Sequence, residues 1–108
     1  MNADHYTYRV RWSGDDESFI GTVAEMKSLS WAADDQIEAL KGIRDLVAEV
    51  LEDMRETGET PPEAFSDREY SGKFLVRIPP EAHRQLAIDA AEQDVSLNRL
   101  ASKRLAGV

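Results

Sequence analysis

The chain has 108 residues, no cysteine and 42% hydrophobic residues, which suits one ordinary soluble domain or two very small ones. The absence of cysteine excludes disulfides and cysteine-ligated zinc, and no apolar run approaches the roughly 18 residues that a membrane-spanning helix needs. The opening sequence MNADHYTYRV has no apolar stretch behind a basic start. We therefore expect a cytoplasmic protein without a signal peptide.

The charge is divided unevenly along the chain. Residues 1–70 contain seven basic and seventeen acidic residues, a net charge of −10, whereas residues 71–108 contain six basic and four acidic residues, a net charge of +2. Such an asymmetry suggests two modules with different partners, a basic protein for the first and phosphates for the second. The alternative is that the acidic residues only solvate one face of a helix.

The first part of the chain predicts a small sheet. YTYRVRW (Tyr6–Trp12) alternates between apolar and polar residues and indicates a half-buried strand. SGDDES is a turn, FIGTVAEM (Phe19–Met26) is a second strand that completes a hairpin, and SLSW (Ser28–Trp31) is a candidate third strand. The aromatic residues at strand spacing favour a core role, and a partner interface is the alternative: Tyr6, Tyr8, Trp12 and Trp31.

A long helix follows, because the apolar period changes from two residues to three or four. One stripe extends from Asp35 to about Arg55: Ile37, Leu40, Ile43, Val47, Val50, Leu51 and Met54. Asp35 with Glu38 predicts the helix start, and Gly58 predicts its end. The next residues are rich in Gly, Pro and acids without any period. We therefore predict a first domain over residues 1–60, a linker over 61–72 and a second domain over 73–108.

The second domain is predicted to be a strand, a helix, a tight turn and a helix. In KFLVRI one face of the strand carries Phe74, Val76 and Ile78, and the other carries Lys73, Leu75 and Arg77. Pro79–Pro80 ends the strand and opens a helix, and Ser96 is the expected N-cap of the last helix. A unit this short offers no second strand with which its strand could pair. We therefore expect two copies to pair their strands antiparallel under four helices.

Pairing of this kind would present the basic face of the strand twice. A two-stranded ribbon fits the major groove of B-DNA, where Lys and Arg read guanine, so Lys73, Leu75 and Arg77 are the predicted base-reading residues. The N-terminus of the last helix, at Ser96 and Asn98, is the predicted phosphate contact. Two alternatives remain: the basic face is a solvated strand edge, or FLVRIP adds a fourth strand to the first domain's sheet.

The segment SGKFLVRIPPEAHRQLAIDAAEQDVSLNRLASKRL closely resembles a ribbon-helix-helix domain of the Arc/MetJ type. The hairpin followed by LSWAADDQIEALKGIRDLVAEVLEDM resembles the partial RNase H-like domain of HicB-type antitoxins. The order of the two resembles the HicB family over nearly the whole chain. One departure is Leu75, which offers no hydrogen bond at the middle reading position. The other is Asp94, which occupies the turn where Gly is common.

The resemblance implies an α+β fold and a type II antitoxin. Such a protein binds and blocks a small basic HicA-like toxin that cleaves mRNA, and it represses its own operon by binding operator DNA. The resemblance implies the same roles for Lys73, Leu75 and Arg77 as base readers and for Ser96 and Asn98 as backbone contacts. It implies a homodimer, and a second self-association through the first domain would give tetramers. The toxin-contacting residues are not predicted.

No catalytic site, cofactor or metal site is predicted. A nuclease related to RNase H needs carboxylates on adjacent strands to hold Mg²⁺, but the first predicted strand has none and the second has only Glu25. Neither His5 nor His83 has a second metal ligand at a suitable spacing. The runner-up function is a stand-alone transcriptional regulator whose first domain senses a ligand or oligomerises, and a diverged RNase H-like hydrolase ranks third.

Overall fold

The computed structural model describes residues 2–107, so the outermost residues of the two predicted domains, Met1 and Val108, lie outside the described residues. The chain divides into two compact units, Met1–Tyr70 and Ser71–Val108. The described part contains a three-stranded antiparallel sheet and three α-helices, which confirms the expected α+β class.

The sheet lies in the first unit and has the strand order β1-β2-β3. Its strands are β1 (Tyr8–Ser13), β2 (Ser18–Val23) and β3 (Ser30–Ala33). The predicted hairpin is confirmed, and β3 lies two residues later than expected. The register pairs Trp12 with Phe19 and Phe19 with Ala33, so these three residues form the last row that all three strands share.

Helix α1 (Gln36–Thr57) begins and ends where the sequence predicts. The Asp35 side chain accepts hydrogen bonds from the backbone N–H groups of Ile37 and Glu38, at 2.8 and 3.2 Å. Gly58 adopts a left-handed conformation with φ of 76°, which a residue without Cβ reaches at no steric cost.

The core forms where α1 crosses the middle of the sheet. Ala39, Ile43 and Val47 are completely buried on one face of α1. Helix and sheet approach closely because β2 carries Gly21 there: an added Cβ would lie 2.7 Å from the Ala39 carbonyl oxygen and 2.8 Å from Ile43 Cγ2. Val23 and other buried residues complete the core beside them.

Four large apolar residues that the sequence assigns to the strand pattern or the helical stripe are exposed instead. Trp12 is 56% and Trp31 is 45% exposed, while Tyr6 is buried as predicted. Ile37 and Leu40 are 79% and 46% exposed. The core prediction is wrong for these four. Helix α1 packs over the middle of β2 at Gly21, which leaves Trp12 at the end of β1 and Ile37 and Leu40 at the start of α1 exposed. Trp31 is partly exposed because β3 is an edge strand of the sheet.

The segment predicted as a linker is partly folded against the first unit. The Tyr6 hydroxyl donates to the Pro62 carbonyl at 2.6 Å, and the Ser66 hydroxyl donates to the His5 carbonyl at 2.8 Å. Ala64 is 1% exposed. Residues 61–70 therefore belong to the first unit, and the division of the chain falls after Tyr70.

Glu25 holds this segment to the sheet. Its carboxylate accepts hydrogen bonds from the Thr7 N–H and hydroxyl and from the Phe65 N–H, at 3.0 to 3.2 Å. Desolvation alone would raise the pKa of Glu25, but the hydrogen bonds from Phe65 and Thr7 outweigh it and lower that pKa. The only acidic residue of the predicted strands thus has a structural role in the fold.

The second unit consists of an irregular segment and two helices, α2 (Pro80–Glu92) and α3 (Leu97–Ala106). Residues 73–78, where the sequence predicts a strand, form neither strand nor helix in the single chain. A strand exists only as part of a hydrogen-bonded ladder, and the described residues provide no partner for this one. The pairing with a second copy therefore stays a prediction.

Candidate nucleic-acid interface

The predicted reading segment begins with a local turn. Gly72 has φ of 83°, and the Ser71 hydroxyl oxygen accepts a hydrogen bond from the Lys73 N–H at 3.1 Å. The turn sets the direction in which the chain enters the segment. From Lys73 to Ile78 every residue is exposed.

The apolar side chains of this segment are far more exposed than a folded unit normally leaves them. Phe74 is 76% exposed and Leu75 is 79% exposed, with Val76 and Ile78 near half. Lys73 and Arg77 form no ion pair within residues 2–107. The segment therefore presents apolar and basic groups together, and both lack a partner in the described chain.

Pro79 and Pro80 end the segment and start α2, as predicted. Pro79 is the N-cap residue with φ of −58° and ψ of 145°, and Pro80 occupies the first turn, where the lack of an N–H costs nothing. The His83 N–H donates to the Pro79 carbonyl at 3.1 Å. The two prolines thus fix both the end of the segment and the beginning of the helix.

The turn between α2 and α3 is tight. Asp94 adopts φ of 55°, the left-handed conformation that Asp tolerates better than most residues, and the Val95 N–H donates to the Ala90 carbonyl at 3.0 Å. Ala90 and Leu100 are the buried residues of the two helices. The contact between α2 and α3 leaves Ile88 and Leu105 exposed, at 43% and 68%.

A polar contact that the sequence analysis missed joins the two helices. The Arg104 guanidinium donates to Asp89 Oδ2 at 2.9 Å, and Gln85 Nε2 donates to Asp89 Oδ1 at 2.8 Å. These hydrogen bonds lower the pKa of Asp89. The spacing of four residues between Gln85 and Asp89 was the signal available in the sequence.

The start of α3 is capped as predicted. The Ser96 hydroxyl accepts a hydrogen bond from the Arg99 N–H at 3.0 Å, and Asn98 is exposed in the first turn. None of the hydrogen bonds within residues 2–107 uses the backbone N–H of Leu97 or Asn98. This helix end therefore offers free donors and the positive end of the helix dipole to an anion.

The structure thus places the five predicted site residues in one unit, in two exposed groups. Lys73, Leu75 and Arg77 lie in the irregular segment, and Ser96 and Asn98 lie at the start of α3. No hydrogen bond or ion pair joins the two groups in the described chain. A common binding surface would need the segment to be fixed by something outside the single chain.

Residues 2–107 contain no group of three or more His, Asp or Glu side chains that could hold a metal ion. None of the helices in this range is both long and apolar enough to cross a membrane.

Comparison with known proteins identifies one family. The model of the HicB family matches residues 50–105, which include the end of α1, the segment after it and nearly all of the second unit. No curated protein and no solved structure matches the chain significantly. Since the family match covers more than half of the 108 residues, the protein belongs to the HicB family, which is generally a family of toxin–antitoxin antitoxins.

Proposed function

We propose that this protein is the antitoxin of a type II toxin–antitoxin pair, with one unit for each of two activities. The first unit blocks a small basic HicA-like toxin that cleaves mRNA. The second unit forms a ribbon-helix-helix dimer that binds operator DNA and represses the operon. Membership of the HicB family supports the antitoxin role, and the exposed segment of the second unit supports the DNA-binding role.

The observation that carries the proposal is the uncovered apolar face of residues 73–78. In an extended conformation Phe74, Val76 and Ile78 point to one side, because side chains alternate along a strand. Together the three side chains expose roughly 300 Å² of apolar surface, the size of the largest apolar patch on a typical monomer, which is often an interaction site. A second copy removes this surface from water, completes the strand ladder and covers the helices at once.

Pairing of two segments would aim the other face outward. Lys73, Leu75 and Arg77 would then project from a two-stranded ribbon, which has the width of the B-DNA major groove. Arg77 and Lys73 suit the oxygen and nitrogen acceptors of guanine, and Leu75 suits the methyl group of thymine. Neither cation has an acidic partner among residues 2–107, so both are available for this contact.

The start of α3 would hold the DNA backbone. The free N–H groups near Asn98 and the helix dipole attract a phosphate, and the Ser96 cap fixes their direction. A phosphate contact of this kind positions the protein without reading sequence. Sequence preference would come from the ribbon alone.

A toxin is the proposed partner of the first unit. Residues 1–70 carry a net charge of −10, which favours a basic protein and disfavours nucleic acid. By resemblance to the family, inhibition would be steric cover of the ribonuclease active site. The second candidate function is a stand-alone regulator, which is favoured by one observation: the family match leaves residues 1–49 outside.

Two adjacent substitutions test the dimer and the reading face together. Val76→Asp places a charge on the proposed dimer face, and Leu75→Asp places the same charge on the proposed DNA face, so each is the control of the other. We expect sedimentation to show a monomer for Val76→Asp and an intact dimer for Leu75→Asp. Both variants should lose binding to DNA from upstream of the gene, measured by fluorescence anisotropy.

The result that would contradict the ribbon is a dimer that tolerates Asp at position 76, or operator binding that tolerates Asp at position 75. The two candidate functions separate in another assay. An antitoxin must stop mRNA cleavage by the small basic protein encoded beside its gene, at about one equivalent. A stand-alone regulator has no such neighbour, or leaves its cleavage unchanged.

A further inference from the structure

Three of the misassigned residues lie on one side of the first unit and form what we call the Trp12 patch: Trp12, Ile37 and Leu40. Their exposure makes an apolar surface in a unit that otherwise buries its large aliphatic side chains, such as Val23 and Ile43. Single exposed apolar residues are ordinary, but adjacent ones mark an interaction surface.

The sheet register fixes one side of the patch. Trp12 lies opposite Phe19 in the last row that all three strands share, and the two rings meet edge to face with centroids 5.1 Å apart. This geometry is the favourable one for an aromatic pair. The Trp12 ring is therefore held in place although more than half of it faces solvent.

The rotation of α1 fixes the other side. Trp31 of β3 lies against Gly42, since a Cβ there would approach the indole to 2.1 Å. Leu40 precedes Gly42 by two residues, a rotation of about 200°, so it lies on the opposite side of the helix, above β1. Ile37 precedes Leu40 by three residues and shares its side. The helix geometry therefore places Leu40 and Ile37 on the β1 side of the helix start, which is the side on which Trp12 lies.

Acidic residues surround this surface on two sides. The β1–β2 turn follows Ser13, one residue after Trp12, and the β3–α1 corner precedes Ile37. The turn supplies three carboxylates and the corner supplies three more: Asp15, Asp16, Glu17, Asp34, Asp35 and Glu38. None of the six forms an ion pair within residues 2–107. An apolar centre within a polar rim is the anatomy of a protein interface.

We propose that the Trp12 patch is the surface on which the basic toxin docks. An apolar side chain of the toxin packs against Trp12 and Leu40, and its Lys and Arg residues pair with the rim. The inference rests on the proposed antitoxin function and specifies which part of the first unit performs it.

The rim charge selects this occupant over two others. A nucleic acid would bring phosphates against six carboxylates, which is repulsive. A second copy bound about a two-fold axis would place the same patch against itself, and both acidic rims would then face each other. For a basic protein, both the apolar centre and the acidic rim favour binding.

The test is calorimetric binding of the full chain to the purified small basic protein encoded beside its gene. Ile37→Gln and Trp12→Thr remove the apolar centre while keeping residues suited to a helix and a strand. A triple variant removes rim charge without touching the Asp35 cap or the hydrogen bond between Ser13 and Asp16: Asp15→Asn, Glu17→Asn and Asp34→Asn. Its control removes equal charge from exposed positions further along α1: Glu49→Gln, Asp53→Asn and Glu56→Gln.

We expect Ile37→Gln and Trp12→Thr each to weaken toxin binding by at least tenfold. Ile37→Gln should keep the wild-type melting curve, whereas Trp12→Thr, which also loses the contact with Phe19, should melt at a lower temperature but remain folded at the temperature of the binding assay. The rim triple should weaken toxin binding severalfold and flatten the salt dependence of the affinity, and the control triple should do neither. If both apolar variants and the rim triple bind the toxin with wild-type affinity, the docking surface is wrong, while the antitoxin function is unaffected. A folded wild-type protein that binds no such toxin, or a gene without such a neighbour, would overturn the proposed function itself.

Discussion

The contact between Trp31 and Gly42 predicts the sign of one substitution, Gly42→Ala. At an ordinary exposed helix position this change stabilises a protein by about 1 kcal/mol, because Ala loses less backbone entropy than Gly. Here the new methyl group would lie 2.1 Å from Trp31 Cδ1 and Nε1. The indole must therefore leave the helix surface.

The cost of displacing the ring exceeds the gain in helix propensity. Trp31 is 45% exposed, so about half of its surface is covered. Half of the accessible surface of a Trp side chain is about 100 Å², and burying it contributes about 2.5 kcal/mol to the free energy of unfolding at about 25 cal/mol per Å². After the propensity gain of about 1 kcal/mol, Gly42→Ala should lower the free energy of unfolding by about 1.5 kcal/mol.

Urea unfolding followed by Trp fluorescence measures this effect in the first unit alone, since both Trp residues lie there. In a Trp31→Ala background the clash is gone, and Gly42→Ala should stabilise the unit by about 1 kcal/mol, with Trp12 as the probe. A stabilising effect of Gly42→Ala in the wild-type background would refute the packing of Trp31 on α1.

Three further predictions concern the core, the attached segment and the second unit. Gly21→Ala should destabilise the first unit by about 1–3 kcal/mol, because its Cβ would meet a backbone oxygen, whereas Gly14→Ala, with open space around it, should not; urea unfolding compares them. Folding lowers the pKa of Glu25, so its ionised carboxylate stabilises the folded state. This stabilisation is complete at pH values above the pKa of Glu25 in the unfolded chain, and it is lost as the pH falls through the pKa in the folded protein. The Phe65 amide shift should therefore titrate with a midpoint below 4.5, and a midpoint at or above 4.5 would contradict the role of Glu25. Ser96→Ala should lower the free energy of unfolding of the second unit by about 1 kcal/mol, whereas Ser96→Asp, which keeps a capping side chain, should leave it unchanged. Thermal unfolding followed by far-UV circular dichroism compares the two variants.

The elements with complete local signals could be predicted from the sequence. Helix α1 carries a capping residue at Asp35, an apolar period and a stop at Gly58, and its observed bounds follow them. The caps of α2 and α3 are local in the same sense. Each signal depends on residues within a few positions of each other, so no tertiary knowledge was needed.

The features that depend on distant contacts could not be predicted. Residues 61–70 have the composition of a linker, yet Glu25 and Tyr6 bind their backbone from more than 35 positions away. The alternation of β1 places Trp12 on the helix side of the sheet but does not say where α1 starts to cover it. The exposure of Trp12 and Ile37 depends on where α1 starts to cover the sheet, so it could not be predicted, and the proposed docking surface depends on that exposure.

The most direct test of the central claim is the ratio of affinities for upstream DNA and for scrambled DNA of equal length, measured by anisotropy with wild type and Arg77→Ala. A base-reading arginine predicts that the variant loses about tenfold in affinity for the upstream DNA and little for the scrambled DNA, since about 1–3 kcal/mol of discrimination belongs to one good base contact. Arg84→Ala, which removes an equal charge from exposed α2, should leave the ratio unchanged. An equal loss on both DNAs, or no loss on either, would contradict the account of the second unit as an operator reader.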